Sequence, residues 1–237
     1  MGGLSGLRLL LVATQWRCCV AQPWNMGLPS HPHLGYRFLT NHSAEHRAVA
    51  SVDFFFDFLC PDSKAAWPPL EAAVRQLDEK SVRVELQLHM FPLPYHRNGM
   101  LVAQAATVVA NHSADRDSGF LKFQQEMFGA QEKFWNAASS TKSLVETTLE
   151  LKAHAINAAP GLTDAQWAEG MSLVPGTAGT AADMKTREAW KYGAYRGATG
   201  TPAIFVNDVP FNTDPLNTGK PMNASAWETL LSSFASH

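Results

Sequence analysis

Cysteine is nearly absent. Of 237 residues only three are cysteine: Cys18 and Cys19 side by side near the start, and Cys60 alone. So few exclude a small scaffold stapled by disulfides. With no cysteine after residue 60, they also exclude a Cys-x-x-Cys pair built on Cys60. An excess of positive charge is missing too: 19 Lys+Arg stand against 21 Asp+Glu, a formal net charge of −2. No basic surplus remains to neutralise a phosphate backbone, and nucleic acid is not an expected partner. No apolar run approaches the roughly 20 residues of a membrane-spanning helix. The 16 Gly and 14 Pro follow no repeat, and 46% hydrophobic with 17% charged residues is the composition of a globular chain of one or two domains.

Residues 1–21 hold no acid and two basic residues, Arg8 and Arg17, around a short apolar stretch from Leu7 to Ala13. Cys19-Val20-Ala21 supplies small residues where a signal peptidase reads, so the segment is expected to be a secretory signal cleaved near Ala21. Cleavage there removes two of the three cysteines. Three sequons, at Asn41, Asn111 and Asn223, fit the same secreted or lumenal address as expected glycosylation sites. Residues 22–37, rich in Pro, Gly and His, read as loose, within a leader segment expected over 22–47. His31, His33, His42 and His46 lie in it without the cysteine or carboxylate ligands of a closed zinc site, and no metal is expected.

A domain is expected over 48–237. From Ala48 to Leu59 the chain is almost continuously apolar and aromatic, the pattern of a strand buried on both faces. Ser63–Glu79 has helical spacing with Pro68-Pro69 inside it, which predicts a kink. Val82, Val84, Leu86 and Leu88 then alternate with polar residues as a second strand. Strand, helix, strand is the unit of a parallel sheet. A helical insertion follows at about 99–196, with helices over 101–110, 120–131, 144–156, 164–171 and 181–195 set off by Gly and Pro punctuation, including Pro175-Gly176. Thr201–Val206 reads as a strand, Asn207-Asp208 as a tight turn into Val209–Phe211, and Asn223–Phe234 as a closing helix.

Cys60-Pro61-Asp62-Ser63 falls where a buried strand gives way to a helix. A sulfur there faces free backbone N–H groups and the positive end of the helix dipole, both of which favour thiolate. Pro61 suits the first helical turn, and Ser63 is placed to donate a hydroxyl hydrogen bond to the sulfur. A buried, inert cysteine is the competing reading. Asp53 and Asp57 lie across the strand from Phe54, and Asp57 reads as a hydrogen-bonded structural residue rather than a base. His96 reads the same way. Phe120, Phe123, Phe128, Phe134 and Trp135 could floor a peptide groove, but helical spacing favours core.

The run Phe54–Ser63, the helical insertion containing Phe120–Phe128, and Gly197–Asn207 with Gly200-Thr201-Pro202 at its centre together resemble the DsbA-like branch of the thioredoxin superfamily, over roughly 48–234. The resemblance implies a mixed α/β thioredoxin-like fold with a helical insertion. It makes Cys60 the nucleophile, Pro61 and Asp62 the intervening site residues, and Pro202, preceded by Thr201, the cis-proline beside the nucleophile that positions substrate backbone. Ser63 stands at the resolving-cysteine position, and Phe54 where the family often carries a buried carboxylate. A lone thiolate can attack a disulfide and form a mixed disulfide. Its release then needs a second thiol from the client or an external thiol such as glutathione. The expected function is therefore monothiol thiol–disulfide exchange on protein or peptide clients, as an isomerase or a glutathione-linked reductase, with no bound cofactor. Two alternatives stay open: a redox-inactive thioredoxin-fold binding module, and a glutathione transferase like the kappa class, where the first site position carries a hydroxyl and this chain has Cys60.

Overall fold

The computed structural model describes residues 35–38, 48–172, 178–213 and 220–236. The expected signal at 1–21 with Cys18 and Cys19, most of the leader, the Asn41 sequon and Pro175-Gly176 lie outside the described residues.

Five strands form one sheet in the order β1-β3-β2-β4-β5: β1 Tyr36–Phe38, β2 Ala50–Phe56, β3 Val84–Met90, β4 Ala203–Val206 and β5 Val209–Phe211. β2 and β3 pair in parallel, as the intervening helix α1 (Pro61–Glu79) requires, and the other pairings are antiparallel. α1 runs through Pro68 and Pro69 without interruption. The insertion consists of α2 (Gly99–His112), α3 (Arg116–Ala130), a 3-10 turn (Gln131–Phe134), α4 (Leu144–Ala158), α5 (Asp164–Met171) and α6 (Ala181–Tyr195); α7 (Ala224–Ser233) closes the chain. Asn207 and Asp208 both take positive φ, 49° and 66°, the backbone of a two-residue hairpin turn that matches strand twist.

One expectation is corrected. Residues 22–37 read as loose, yet Tyr36–Phe38 is a strand paired with β3. Tyr36 stacks on Phe120 of α3 with ring centroids 3.5 Å apart and lies under the Arg116 guanidinium at 4.0 Å. Long-range aromatic contacts outweigh the weak β signal of three residues.

Alternation along β2 sends Phe54 and Phe56 to one face and Asp53 and Phe55 to the other. Phe54 meets Trp67 of α1, and Phe56 meets Phe120 and Phe128 of α3. Phe55 stacks on His89 and touches Tyr192 of α6. Helices thus cover both faces, which is why the strand reads as a continuous apolar run. Phe54 is wholly buried in this core, so the position where the family often carries a carboxylate is a packing position here.

α6 ends in a Schellman motif. Ala198 N donates to Gly193 O (2.9 Å), Gly197 N donates to Ala194 O (3.0 Å), and Gly197 takes φ +83°, a conformation glycine adopts without penalty. This stop directs the chain into the 198–202 loop ahead of β4.

Candidate functional site

Asp57 turns the chain from β2 into α1. Its carboxylate is inaccessible to solvent and accepts three hydrogen bonds: Leu59 N at 2.7 Å on Oδ1, and Leu93 N at 2.7 Å and His96 Nδ1 at 2.8 Å on Oδ2. Its backbone carbonyl accepts from Cys60 N at 3.1 Å. The insertion holds the same loop from outside. Gln131 Nε2 donates to Phe58 O (2.9 Å) and, more weakly, to Cys60 O (3.4 Å), while Trp135 Nε1 donates to Leu59 O (3.0 Å). Backbone groups that would otherwise be buried and bare are thereby satisfied, and the position of Cys60 is fixed from two sides.

Cys60 is the N-cap residue of α1, with extended backbone (φ −79°, ψ 120°) and Pro61 in the first turn. Asp62 and Ser63 N–H have no intrahelical acceptor at this end. Only 4% of Cys60 is exposed, and it packs with Phe55, Phe91, Leu93, Ala198 and Phe205. Its thiol donates to Thr201 O at 3.2 Å, and the Thr201–Pro202 peptide bond is cis. Cys60 and the Thr201-Pro202 segment therefore meet, although about 140 residues separate the two halves of the site. Pro61 and Asp62 are exposed on the outer lip.

The hydrogen bond expected from Ser63 to the sulfur is not made: Ser63 is fully buried and its hydroxyl has no partner. The thiol proton goes to the Thr201 carbonyl, and a protonated thiol is itself a weak acceptor. Thr201 Oγ1 is likewise buried without a partner. On ionisation the sulfur becomes an acceptor, and the hydroxyls of Ser63, three residues along the chain, and of Thr201 are both uncommitted.

Beside the lip lies a cleft of about 330 Å³ lined by Leu59, Pro61, His96, Trp135, Asn136 and Ala137. Phe120, Phe123, Phe128 and Phe134 are core, as their spacing implied, whereas Trp135 is 36% exposed and walls this cleft. A larger groove of about 980 Å³ between α1 and α3 contains none of Cys60, Ser63, Thr201 and Pro202.

On the opposite side of Phe55, Asp53 bridges His89 Nε2 (2.9 Å) and Arg196 Nη1 (3.1 Å), and Arg196 continues to Asp208 at 3.0 Å. Burial pushes the Asp53 carboxyl up, but His89 and Arg196 outweigh it and hold the group below the ordinary range. Neither this cluster nor the rest of the described residues groups three ligands suited to a metal ion. Asn111 and Asn223 are exposed, the latter as N-cap of α7 with its side-chain oxygen on Ala226 N. Among the described residues no helix is long and apolar enough to cross a membrane.

Asp57 has the structural role its sequence position suggested. The sequence did not reveal Gln131 and Trp135 as clamps and favoured a structural His96 over one lining the cleft, since their partners lie 39 to 76 residues away. The polar side chain of Asp57 inside an apolar run was the one local signal.

The chain is similar to the reduced form of the disulfide bond oxidoreductase DsbG from Mycobacterium tuberculosis, at 17% identity and a TM-score of 0.58, covering 87% of this chain and 90% of that one. MdbA from Actinomyces oris, a thiol-disulfide oxidoreductase, aligns at 18% identity and TM-score 0.51 over 78% of this chain and 80% of that one. MdbA from Corynebacterium diphtheriae aligns at 12% and 0.51 over 86% and 95%. These likenesses establish the fold. No curated protein matches the sequence. The model of the DSBA-like thioredoxin domain matches residues 51–232, from the strand that delivers Cys60 to the helix that closes the sheet, and the chain belongs to that family.

Proposed function

We propose that the protein is a monothiol thiol–disulfide exchange protein of the secretory lumen, with Cys60 as its nucleophile. The observation that carries this reading is a single sulfur at the N-terminus of α1, against the Thr201 carbonyl, with serine at residue 63 in place of a second thiol. Cys60 stands at the N-terminus of α1, where free backbone N–H groups and the positive end of the helix dipole face the sulfur that attacks. Cys60 thiolate attacks one sulfur of a client disulfide. A Cys60–client S–S bond forms, the client S–S bond breaks, and the electron pair leaves on the other client sulfur. The Thr201-Pro202 backbone positions the client chain alongside. A client thiol or glutathione then attacks the mixed disulfide and frees Cys60. No dithiol cycle within the site is available, so the reading is isomerisation or glutathione-linked reduction rather than net oxidation. Protein and peptide clients carrying thiols or disulfides are the partners, and no bound cofactor takes part.

Trapping tests this reading. Wild-type protein offered a disulfide-containing peptide, or oxidised glutathione, forms an adduct seen by mass spectrometry and lost in Cys60→Ser. Failure to form any Cys60-dependent adduct would overturn it in favour of a redox-inactive binding module, which the 4% exposure of Cys60 specifically favours.

A further inference from the structure

We propose that His96 is the base that deprotonates the thiol entering to resolve the Cys60 mixed disulfide, and that Asp57 is its positioning residue. The inference rests on the exchange reading above and concerns its second half. In a two-cysteine site the resolving thiol is built in. Here it arrives from solution as a neutral thiol with a pKa of about 8.5, so only a few per cent is thiolate near pH 7. A base in the approach cleft relieves that shortage.

His96 is placed for this role. Its Nδ1 donates to Asp57 Oδ2 at 2.8 Å, and that carboxylate is fully buried and held by two backbone N–H groups as well. A carboxylate that only accepts fixes the proton on Nδ1, leaving Nε2 as a lone-pair acceptor. Among the described residues Nε2 has no hydrogen-bond partner, the side chain is 17% exposed, and His96 lines the cleft that also contains Leu59 and Pro61, the two neighbours of Cys60 in the chain. Asp57 thus grips the nucleophile loop through Leu59 N and Cys60 N and the imidazole through its other oxygen, setting their relative position.

Among the described residues no competing charge is in contact with the ring. Tyr95 meets it edge-on at 4.9 Å. Arg97 is turned away onto the carbonyls of Ser139, Ser140 and Lys142. The cleft wall at 135–137 is Trp, Asn and Ala, and α1 contributes Pro61. Among the described residues Asp57 is the one carboxylate in contact with the ring.

The entering thiol gives its proton to His96 Nε2, and its sulfur pair forms a bond to the client sulfur. The Cys60–client S–S bond breaks with its pair on Cys60 Sγ, and the imidazolium returns the proton to water. The entering thiol is oxidised as Cys60 is reduced, the number of disulfides is unchanged, and no further oxidant is needed.

The test uses full-length protein carrying a single-cysteine fluorescent peptide on Cys60, released by reduced glutathione across a pH series. In His96→Asn the side-chain amide keeps a donor for Asp57 but has no base. Near pH 7 its release is slower than wild type by about tenfold or more. The two profiles converge near pH ~9.5, where glutathione is already ionised. In His96→Ala, added imidazole restores release near pH 7, and this readout stands even if the asparagine variant folds poorly. Superimposed wild-type and His96→Asn profiles, or no imidazole rescue, overturn the role of His96 and leave the exchange reading intact. Absence of the wild-type adduct overturns both.

Discussion

Replacing Asp57 by Asn tests how the nucleophile loop is held. The buried carboxylate accepts from Leu59 N, Leu93 N and His96 Nδ1 at 2.7 to 2.8 Å. Asparagine keeps one acceptor oxygen. If that oxygen stays on Leu93 N and His96, the new NH₂ faces the Leu59 N–H, donor against donor. In the flipped orientation two of the three bonds are lost. The milder case removes one charge-assisted hydrogen bond and leaves a buried N–H bare, so the expected cost is about 2 to 4 kcal/mol. For a domain of this size that lowers the thermal midpoint by roughly 6 to 12 °C. Urea unfolding is the assay, read as a lower midpoint concentration with an unchanged slope. Because Leu59 and Cys60 are tethered through the same residue, alkylation of Cys60 by iodoacetamide should change as well. A loss below about 0.5 kcal/mol, the range of an inconsequential surface change, together with unaltered alkylation, would refute the reasoning.

Gly193→Ala places a Cβ 2.5 Å from Phe91 Cδ2 and 3.2 Å from Phe55 Cδ1. Both rings pack with Cys60, so overpacking is expected to cost about 1 to 3 kcal/mol in denaturant unfolding. Asp53, held below the ordinary value of 3.8 despite its burial, makes the folded state bind fewer protons than the unfolded one in acid. Its contribution is complete above pH 3.8 and is lost as pH falls through the lowered value, so Asp53→Asn should flatten the acid limb of a stability–pH curve. Asn223→Ser keeps an N-cap for α7 while abolishing the sequon. Expressed through a secretory pathway, it should lose a glycosidase-sensitive mass increment with little change in unfolding midpoint, whereas Asn223→Ala should also lose about 1 kcal/mol.

Much of the scaffold was readable because local pattern and tertiary role coincide. β2 is apolar on both sides because α1 and α3 cover one face and α6 the other. α4 and α5 begin at Ser143 and Thr163 with capping boxes completed by Glu146 and Gln166. Asn207-Asp208 carries the turn chemistry its hairpin needs. What escaped was non-local. Tyr36–Phe38 is held by rings from α3 rather than by its own propensity, and His96, Gln131 and Trp135 acquire their roles from partners far along the chain. The hydrogen bond expected from Ser63 to the sulfur is not made, because the thiol proton is committed to the Thr201 carbonyl about 140 residues along the chain.

The clamp from Gln131 and Trp135 gives the helical insertion an unexpected status. A miniaturised variant that spliced β3 directly to β4 would keep every residue of the Cys60-Pro61-Asp62-Ser63 and Thr201-Pro202 segments. It would also strip the side-chain partners from the carbonyls of Phe58 and Leu59. The segment that looks like an appendage to a thioredoxin core is part of the mould in which its nucleophile is cast, so the two can vary only in concert.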